Sequence, residues 1–378
     1  MRPRRDVLSV VHSVTAGNRV LDVLSGIKHD SDIRIMFTVA PGAAAAGAEL
    51  FLAEAGALVL PWQQACRRRF DLIVTASASE ASNLTGPVLL LLNMSERRIF
   101  AKERRAGGIE DLHRAVLGRG TVPAVIGLPH RRQRDLLYEC CPEAARYAAV
   151  IGDVGYDRLI ASLPLRDAYR SALGIRNGHV VILATTTRGP CSVFGTDPAF
   201  FSRLTEELLG NGNRVLFQLH PGIWFGHGVR RVRAWIRTAH ASGLEVIAPT
   251  VDWRIPLIAA DRVVGDDEAV ITHAAAIGKP VATFRSRPPG CAPGPVAEAV
   301  AKVSTTVNPA MPLHRQLDSG PASGGAEIAA QLTSAPGRSG ALVRAVVYRL
   351  LHLPEPRTRP SCRSIPAAGI AFQTRRSS

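Results

Sequence analysis

The chain of 378 residues has few lysines, few aromatics, no paired cysteine motif and no long apolar run, and each shortage removes a class of protein. Its apolar runs, such as Pro87-Val-Leu-Leu-Leu-Leu92, are of strand length. A helix that crosses a bilayer needs roughly 18–20 such residues. Arg2, Arg4 and Arg5 stand at the N-terminus, but Asp6 interrupts them, and Val7–Val14 is too short and too β-branched for a secretory core. That segment reads as a buried first strand, so no signal peptide is expected, and the expected location is the cytoplasm. The six cysteines (66, 140, 141, 191, 291 and 362) include no CxxC, and the scattered histidines form no HExxH. A metal site therefore has no support, and the thiols read as reduced and mostly buried. There is no GxxxxGK[ST] loop for a nucleoside triphosphate and no RNP-like aromatic motif, which argues against a GTPase or an RNA reader.

Lysine is scarce in another sense. Only Lys28, Lys102, Lys279 and Lys302 contribute to the 46 basic residues, and the formal net charge of +15 is almost wholly arginine. The arginines cluster at 67–69, 97–98, 104–105 and 131–132, and eight lie between Arg338 and Ser378 against one acid, Glu355. A basic surface attracts phosphates, anionic lipid and nucleic acid alike. A solvated face is the plain reading. Phosphate-rich partners or the inner face of a membrane, reached through the arginine-rich tail, come next, and nucleic acid last.

With 46% hydrophobic residues the chain can bury substantial cores, and its length suits two domains. Short β-branched runs alternate with helical periodicity: Val7–Val14, Ile33–Val39, Ala57–Leu60, Asp71–Thr75, Val88–Leu92 and Val122–Ile126 in the first half. In the second half Val180–Ala184, Arg214–Leu219, Leu244–Ile247, Arg262–Val264 and Val281–Phe284 repeat the pattern. This alternation predicts α/β architecture, with two doubly wound parallel sheets carrying helices on both faces. The expected division is 1–145, 146–311, and a mobile basic tail 312–378 with one amphipathic helix over 341–353.

Several clusters sit where an apolar run ends and a helical pattern begins, the place where open α/β sheets bind ligands. They are Gly152-Asp153-Val154-Gly155-Tyr156-Asp157, His220-Pro221 with Trp224, and Ala260-Asp261 followed by Gly265-Asp266. With His12-Ser13-Val14-Thr15-Ala16-Gly17-Asn18, Pro61-Trp62-Gln63, Cys141-Pro142-Glu143-Ala144 and Trp253-Arg254, their order resembles the CDP-glycerol glycerophosphotransferase-like branch of the GT-B fold, its actinobacterial members in particular. The resemblance covers most of residues 7–285. It implies two Rossmann-like domains facing across a cleft. A CDP- or UDP-linked donor would bind on the second domain, and an acceptor such as an envelope polymer or lipid-linked hydroxyl would approach from the first. No permanently bound cofactor is implied, and Mg²⁺ is an open addition.

The candidate residues follow. On the donor side, Thr186, Thr187 and Gly189 form either a phosphate turn or an ordinary hydroxyl-rich strand end. His220 either stabilises the leaving phosphate, by hydrogen bonding or as an imidazolium, or caps a helix with Pro221. Trp224 and Trp253 line a base pocket or pack between helices. Gly265 opens the helix that would receive a diphosphate. On the acceptor side stand Gly17, read as a tight turn or a helix-start glycine, with Asn18 and Asn93. Two departures bear on mechanism. Asn93 stands where relatives carry a histidine that is a candidate general base, and an amide accepts no proton at neutral pH. Asp266, Asp267 and Glu268 replace a loop of the Gly-Asp-His-Gly-Ser type. They read either as a base or metal ligands, or as helix-capping carboxylates. The leading expectation is a transferase moving a glycerol-phosphate, polyol-phosphate or sugar. The alternative is a degenerate binding or scaffold protein.

Overall fold

The computed structural model describes residues 4–42, 45–92, 112, 122–189, 192–197, 200–209, 213–241, 243–266, 268–284, 294–308, 310–317, 324–358 and 362–367. Among them two sheets form, and every strand pairing is parallel. The first contains β1 (Arg5–Val11), β2 (Ile33–Val39), β3 (Val59–Leu60), β4 (Leu72–Thr75), β5 (Val88–Leu91), β6 (Val125–Leu128) and β7 (Ala148–Val150). Its spatial order is β3-β2-β1-β4-β5-β6-β7. The second contains β8 (Val180–Thr186), β9 (Asn213–Leu219), β10 (Glu245–Val246), β11 (Arg262–Gly265), β12 (Val281–Thr283) and β13 (Thr305–Thr306), in the order β10-β9-β8-β11-β12-β13. Each begins in the middle, winds outward, then returns to wind the other way, which is the doubly wound order of Rossmann-like sheets. The expected α/β class with two such sheets is the one observed.

The strand sequences explain the burial. β4, β5 and β6 are apolar along nearly their whole length and are buried at every residue, as strands covered on both faces are. The first core gathers Leu8, Val10, Ile73, Leu90 and Ile126 from its central strands. The second gathers Ile182, Ala184, Val215 and Phe217 with Phe200, Leu204 and Trp224 from covering helices.

Two compact units result: Met1–Arg158 with Leu332–Arg363, and Leu159–Gln331 with Ser364–Ser378. Three expectations change. Ala148–Val150 does not begin the second domain; its backbone pairs with β6 through Ile126↔Ala148, so it is the last strand of the first sheet. Within the expected mobile tail the helix expected over 341–353 is present as Ser339–Leu351, and what changes is that Leu313–Gln316 and Gly325–Leu332 are helical too. Helix Ser339–Leu351 lies in the first unit and buries Val343, Val347, Tyr348 and Leu351. Its apolar stripe packs on protein because the first unit offers it matching surface.

The third change concerns Gly17. The helix Val14–Leu24 starts earlier than its apolar pattern suggests, because the Ser13 hydroxyl caps it by accepting from Ala16 N at 3.2 Å. Gly17 is therefore inside the helix and makes no turn. A Cβ there would lie 2.5 Å from the Phe51 ring, so glycine serves close packing.

The cluster Gly152–Asp157 receives the returning chain. Asp157 is 4% exposed and accepts from Gly337 N at 2.7 Å, Ser339 N at 3.0 Å and the Ser339 hydroxyl at 2.5 Å. Those donors stand at the start of helix Ser339–Leu351, where backbone N–H groups lack helical partners. Asp153 N donates to Thr333 Oγ1 at 3.1 Å, and Gly152 adopts φ +75° with Ser339 and Ala335 against its bare Cα. A motif that reads as a ligand turn is thus a clasp. Asp157→Ala is expected to destabilise the protein by about 3–5 kcal/mol, since several bonds to a buried charge are lost. It should also speed protease cleavage near residue 336. Urea unfolding with a loss below about 1 kcal/mol would contradict the clasp.

Candidate functional site

In the second sheet the winding direction reverses at β8, between β9 and β11, and the carboxyl ends of these strands meet there. Such a switch point leaves a crevice where ligands of open α/β sheets bind. Three strand ends converge on it. β8 ends at Thr185-Thr186 and continues into Thr187-Arg188-Gly189. β9 ends before His220 and β11 ends at Gly265-Asp266.

Gly265 fixes the spacing. It pairs with Thr185 across the parallel ladder and adopts φ +157°. A Cβ there would sit 2.0 Å from the Thr185 carbonyl oxygen. Asp266 N then donates to that carbonyl at 3.3 Å. The Asp266 carboxylate reaches over the end of β8, where it accepts from Thr187 N at 2.9 Å and from Val193 N at 2.8 Å. One carboxylate thereby holds both ends of the loop 187–193. Ser192 reinforces the loop through Oγ donating to Gly189 O at 2.7 Å, and Gly189 turns it with φ +109° in open space. Arg188 and Gly189 remain exposed at its tip.

His220 closes the other side. Its N donates to Thr186 O at 3.2 Å, and its Nδ1 accepts from Gly222 N at 2.9 Å, capping helix Pro221–His227. With Nδ1 accepting, the proton of the neutral ring belongs on Nε2. Burial, and next the Arg188 charge, push its pKa from 6.5 down to about 4. The side chain is neutral at pH 7 and can donate from Nε2. Arg188 is close by: a Cβ on Gly222 would lie 2.9 Å from its Cδ and 3.0 Å from His220 Nδ1. A cation and a polar ring thus share the crevice end of the loop.

The structure brings together Thr186, Thr187, Gly189, His220, Gly265 and Asp266. It does not bring Trp224, which is fully buried in the second core. Its ring fills the space under helix Pro221–His227, so it lines no base pocket. Trp253 stacks edge-on to His273 at 4.9 Å, and the adjoining Arg254 is 1% exposed and paired with Asp252 at 2.7 Å. Asp266 is no free base or ready metal ligand, because both its oxygens serve backbone amides. Asp267, Asn93 and the Glu268 side chain lie outside the described residues; Glu268 is the first residue of helix Glu268–Ala276. Gly17 and Asn18 are both helical. Asp261 sits at the opposite end of the sheet, where it accepts from Val181 N at 2.8 Å and pairs with Arg166 and Arg170. That motif staples the starts of β8 and β11. Arg188 is the residue that sequence reasoning missed, and its only signal was an arginine before the glycine of the turn.

Comparison with known proteins bears on this geometry. HepE from Anabaena in complex with UDP-glucose aligns over 92% of this chain and 100% of its own, with 15% identity and a TM-score of 0.52. The wall teichoic acid polymerase TagF aligns over 93% of this chain and 89% of its own, with 11% identity and a TM-score of 0.57. The likeness is one of fold. No family model matches the sequence, and no curated protein matches it in sequence.

Two outcomes follow from the site. A histidine with a depressed folded pKa binds fewer protons folded than unfolded between about pH 4 and 6.5, so stability falls as pH drops through that window. The loss is on the order of 2–3 kcal/mol. His220→Asn keeps a capping oxygen without a titrating ring, and melting curves at stepped pH should show that part of the acid sensitivity gone. An unchanged pH profile would contradict the assignment. Gly265→Ala should cost about 1–3 kcal/mol through overpacking, measured by urea unfolding, and no change would show that the strands are not held so close.

Proposed function

We propose that this chain is a GT-B-type transferase that moves a glycerol-phosphate, polyol-phosphate or sugar from a CDP- or UDP-linked donor to a hydroxyl of an envelope polymer or lipid-linked acceptor. The observation that carries the reading is the pairing of Arg188 with neutral His220 at the switch point of the second sheet. A nucleoside diphosphate needs a fixed cation and hydrogen-bond donors where its bridging and leaving oxygens lie. Arg188 supplies the first and His220 Nε2–H the second. HepE was solved with UDP-glucose, and TagF is a teichoic acid polymerase, which supports a nucleotide-activated donor for a chain of similar fold.

In that reading the acceptor oxygen attacks the phosphorus or the anomeric carbon of the donor. The bond to the nucleotide breaks, and the electron pair leaves on a phosphate oxygen next to Arg188. The developing charge is met by the Arg188 guanidinium, which stabilises the leaving oxygen electrostatically. The acceptor hydroxyl gives up its proton to solvent water as the new bond forms, and His220 does not take it, since its Nδ1 lone pair is engaged by Gly222 N–H.

Two points favour a second reading, donor binding without turnover: Asn93 stands where the family resemblance implies a histidine, and Asp266, the carboxylate described beside the turn, is already engaged. Among the described residues no group of three metal-ligating side chains is assembled, so the titrations below are run with and without Mg²⁺.

Calorimetry with CDP, UDP and CDP-glycerol separates the outcomes. The proposal predicts saturable binding weakened about 10–100-fold in Arg188→Ala, the equivalent of losing charge-assisted hydrogen bonds. Equal affinity in the variant, or no binding of any nucleotide, would overturn it. Binding without release of CMP or nucleoside diphosphate in the presence of acceptor polymer selects the second reading.

A further inference from the structure

Helix Val229–Ala241 presents a face that the donor site does not use. Val232 and Ile236 are buried and belong to the second core. Arg230, Arg231, Arg233 and Arg237 are exposed on the outside. Trp235 is 40% exposed among them, with the Arg231 guanidinium 5.5 Å from its ring centroid, the His227 ring at 5.1 Å and Phe194 at 5.6 Å. The sequence holds no acid between Glu207 and Glu245. Both of those are engaged, Glu207 by Leu313 N and Glu245 by Arg214. The adjacent helix Phe200–Leu208 carries an exposed Glu206, and Arg203 pairs with Asp197 at 2.8 Å. The face is strongly positive even with Glu206 counted.

Its shape decides what it fits. From Arg230 to Arg237 the four arginines are spread along about 10 Å of helix. They suit an extended array of anions. The indole distinguishes among arrays. Base stacking needs a free ring face, whereas Trp235 has Arg231 over its ring. A part-buried amphipathic indole beside guanidinium groups suits the headgroup layer of a bilayer.

We propose that the outer face of helix Val229–Ala241 docks on an anionic lipid bilayer. Arginines near such a surface add roughly equal increments of attraction, which salt screens within a Debye length. The proposal does not depend on donor binding.

The test uses the full chain without nucleotide, sedimented with vesicles of phosphatidylcholine alone or with about 30% phosphatidylglycerol. Wild-type protein should partition to the anionic vesicles at low salt and detach at about 0.5 M salt. The combined Arg230→Gln, Arg231→Gln, Arg233→Gln and Arg237→Gln variant should lose at least about 50-fold in partitioning, with its circular dichroism unchanged. A variant with Arg357, Arg359, Arg375 and Arg376 changed to Gln should lose less than about 3-fold. Should the helix variant misfold, quenching by brominated lipid decides: it should act on wild-type fluorescence and weaken in Trp235→Phe. Binding that survives the helix variant, or vanishes with the C-terminal variant, overturns the proposal. So does a wild-type protein that ignores vesicles and instead binds RNA.

Discussion

The arrangement at the carboxyl end of β8 depends on the close passage of β11 against it at Gly265. A side chain there would collide with the Thr185 carbonyl, so the strands can carry Asp266 to the far side of β8 only because this position is glycine. Asp266 then draws in Thr187 N and Val193 N. The carboxylate thus fixes the backbone on either side of Arg188, Gly189 and Ser192. Arg188 is presented at the tip as a consequence.

The same device, a side-chain acceptor meeting backbone N–H groups at the end of a strand or the start of a helix, recurs through the molecule. His220 and His130 each accept through Nδ1 from an amide two residues on. Asp157 accepts from the first donors of the helix Ser339–Leu351, and Asp261 from Val181 N. An α/β chain has many helix starts, and each leaves donors that need partners. Much of the polar sequence that looks chemical is spent there. What separates the switch point from the other places is an exposed cation beside a polar ring that stays neutral at pH 7.

The fold was legible because its signal is redundant. Strands such as Leu72–Thr75 and Val88–Leu91 are uniformly apolar, and the alternation with helices fixes a parallel arrangement. Local errors arose where tertiary packing overrode local pattern. Gly17 reads as a tight turn or a helix-start glycine, and it lies in the first turn of a helix with Phe51 packed on it. Ala148–Val150 follows a presumed join, yet its partner is β6. The segment after residue 312 is rich in small residues, yet Asp157, 180 residues away from Gly337, anchors it. Thr186, Thr187, Gly189, His220, Gly265 and Asp266 could be grouped from sequence because they fall at or just after strand ends, and their role in binding is the proposal. For Trp224 the packing reading holds, since its helix turns the ring into the core. Arg188 escaped notice because one arginine among so many carries no signal until its neighbours are placed.

The central claim is that a nucleoside diphosphate lies at the carboxyl end of β8 and β11. A crystal structure of the protein with CDP or UDP tests it most directly. The account predicts phosphate oxygens within hydrogen-bond reach of the Arg188 guanidinium and of His220 Nε2. A nucleotide found instead beside Asp261, Arg166 and Arg170, at the opposite end of the sheet, would contradict it.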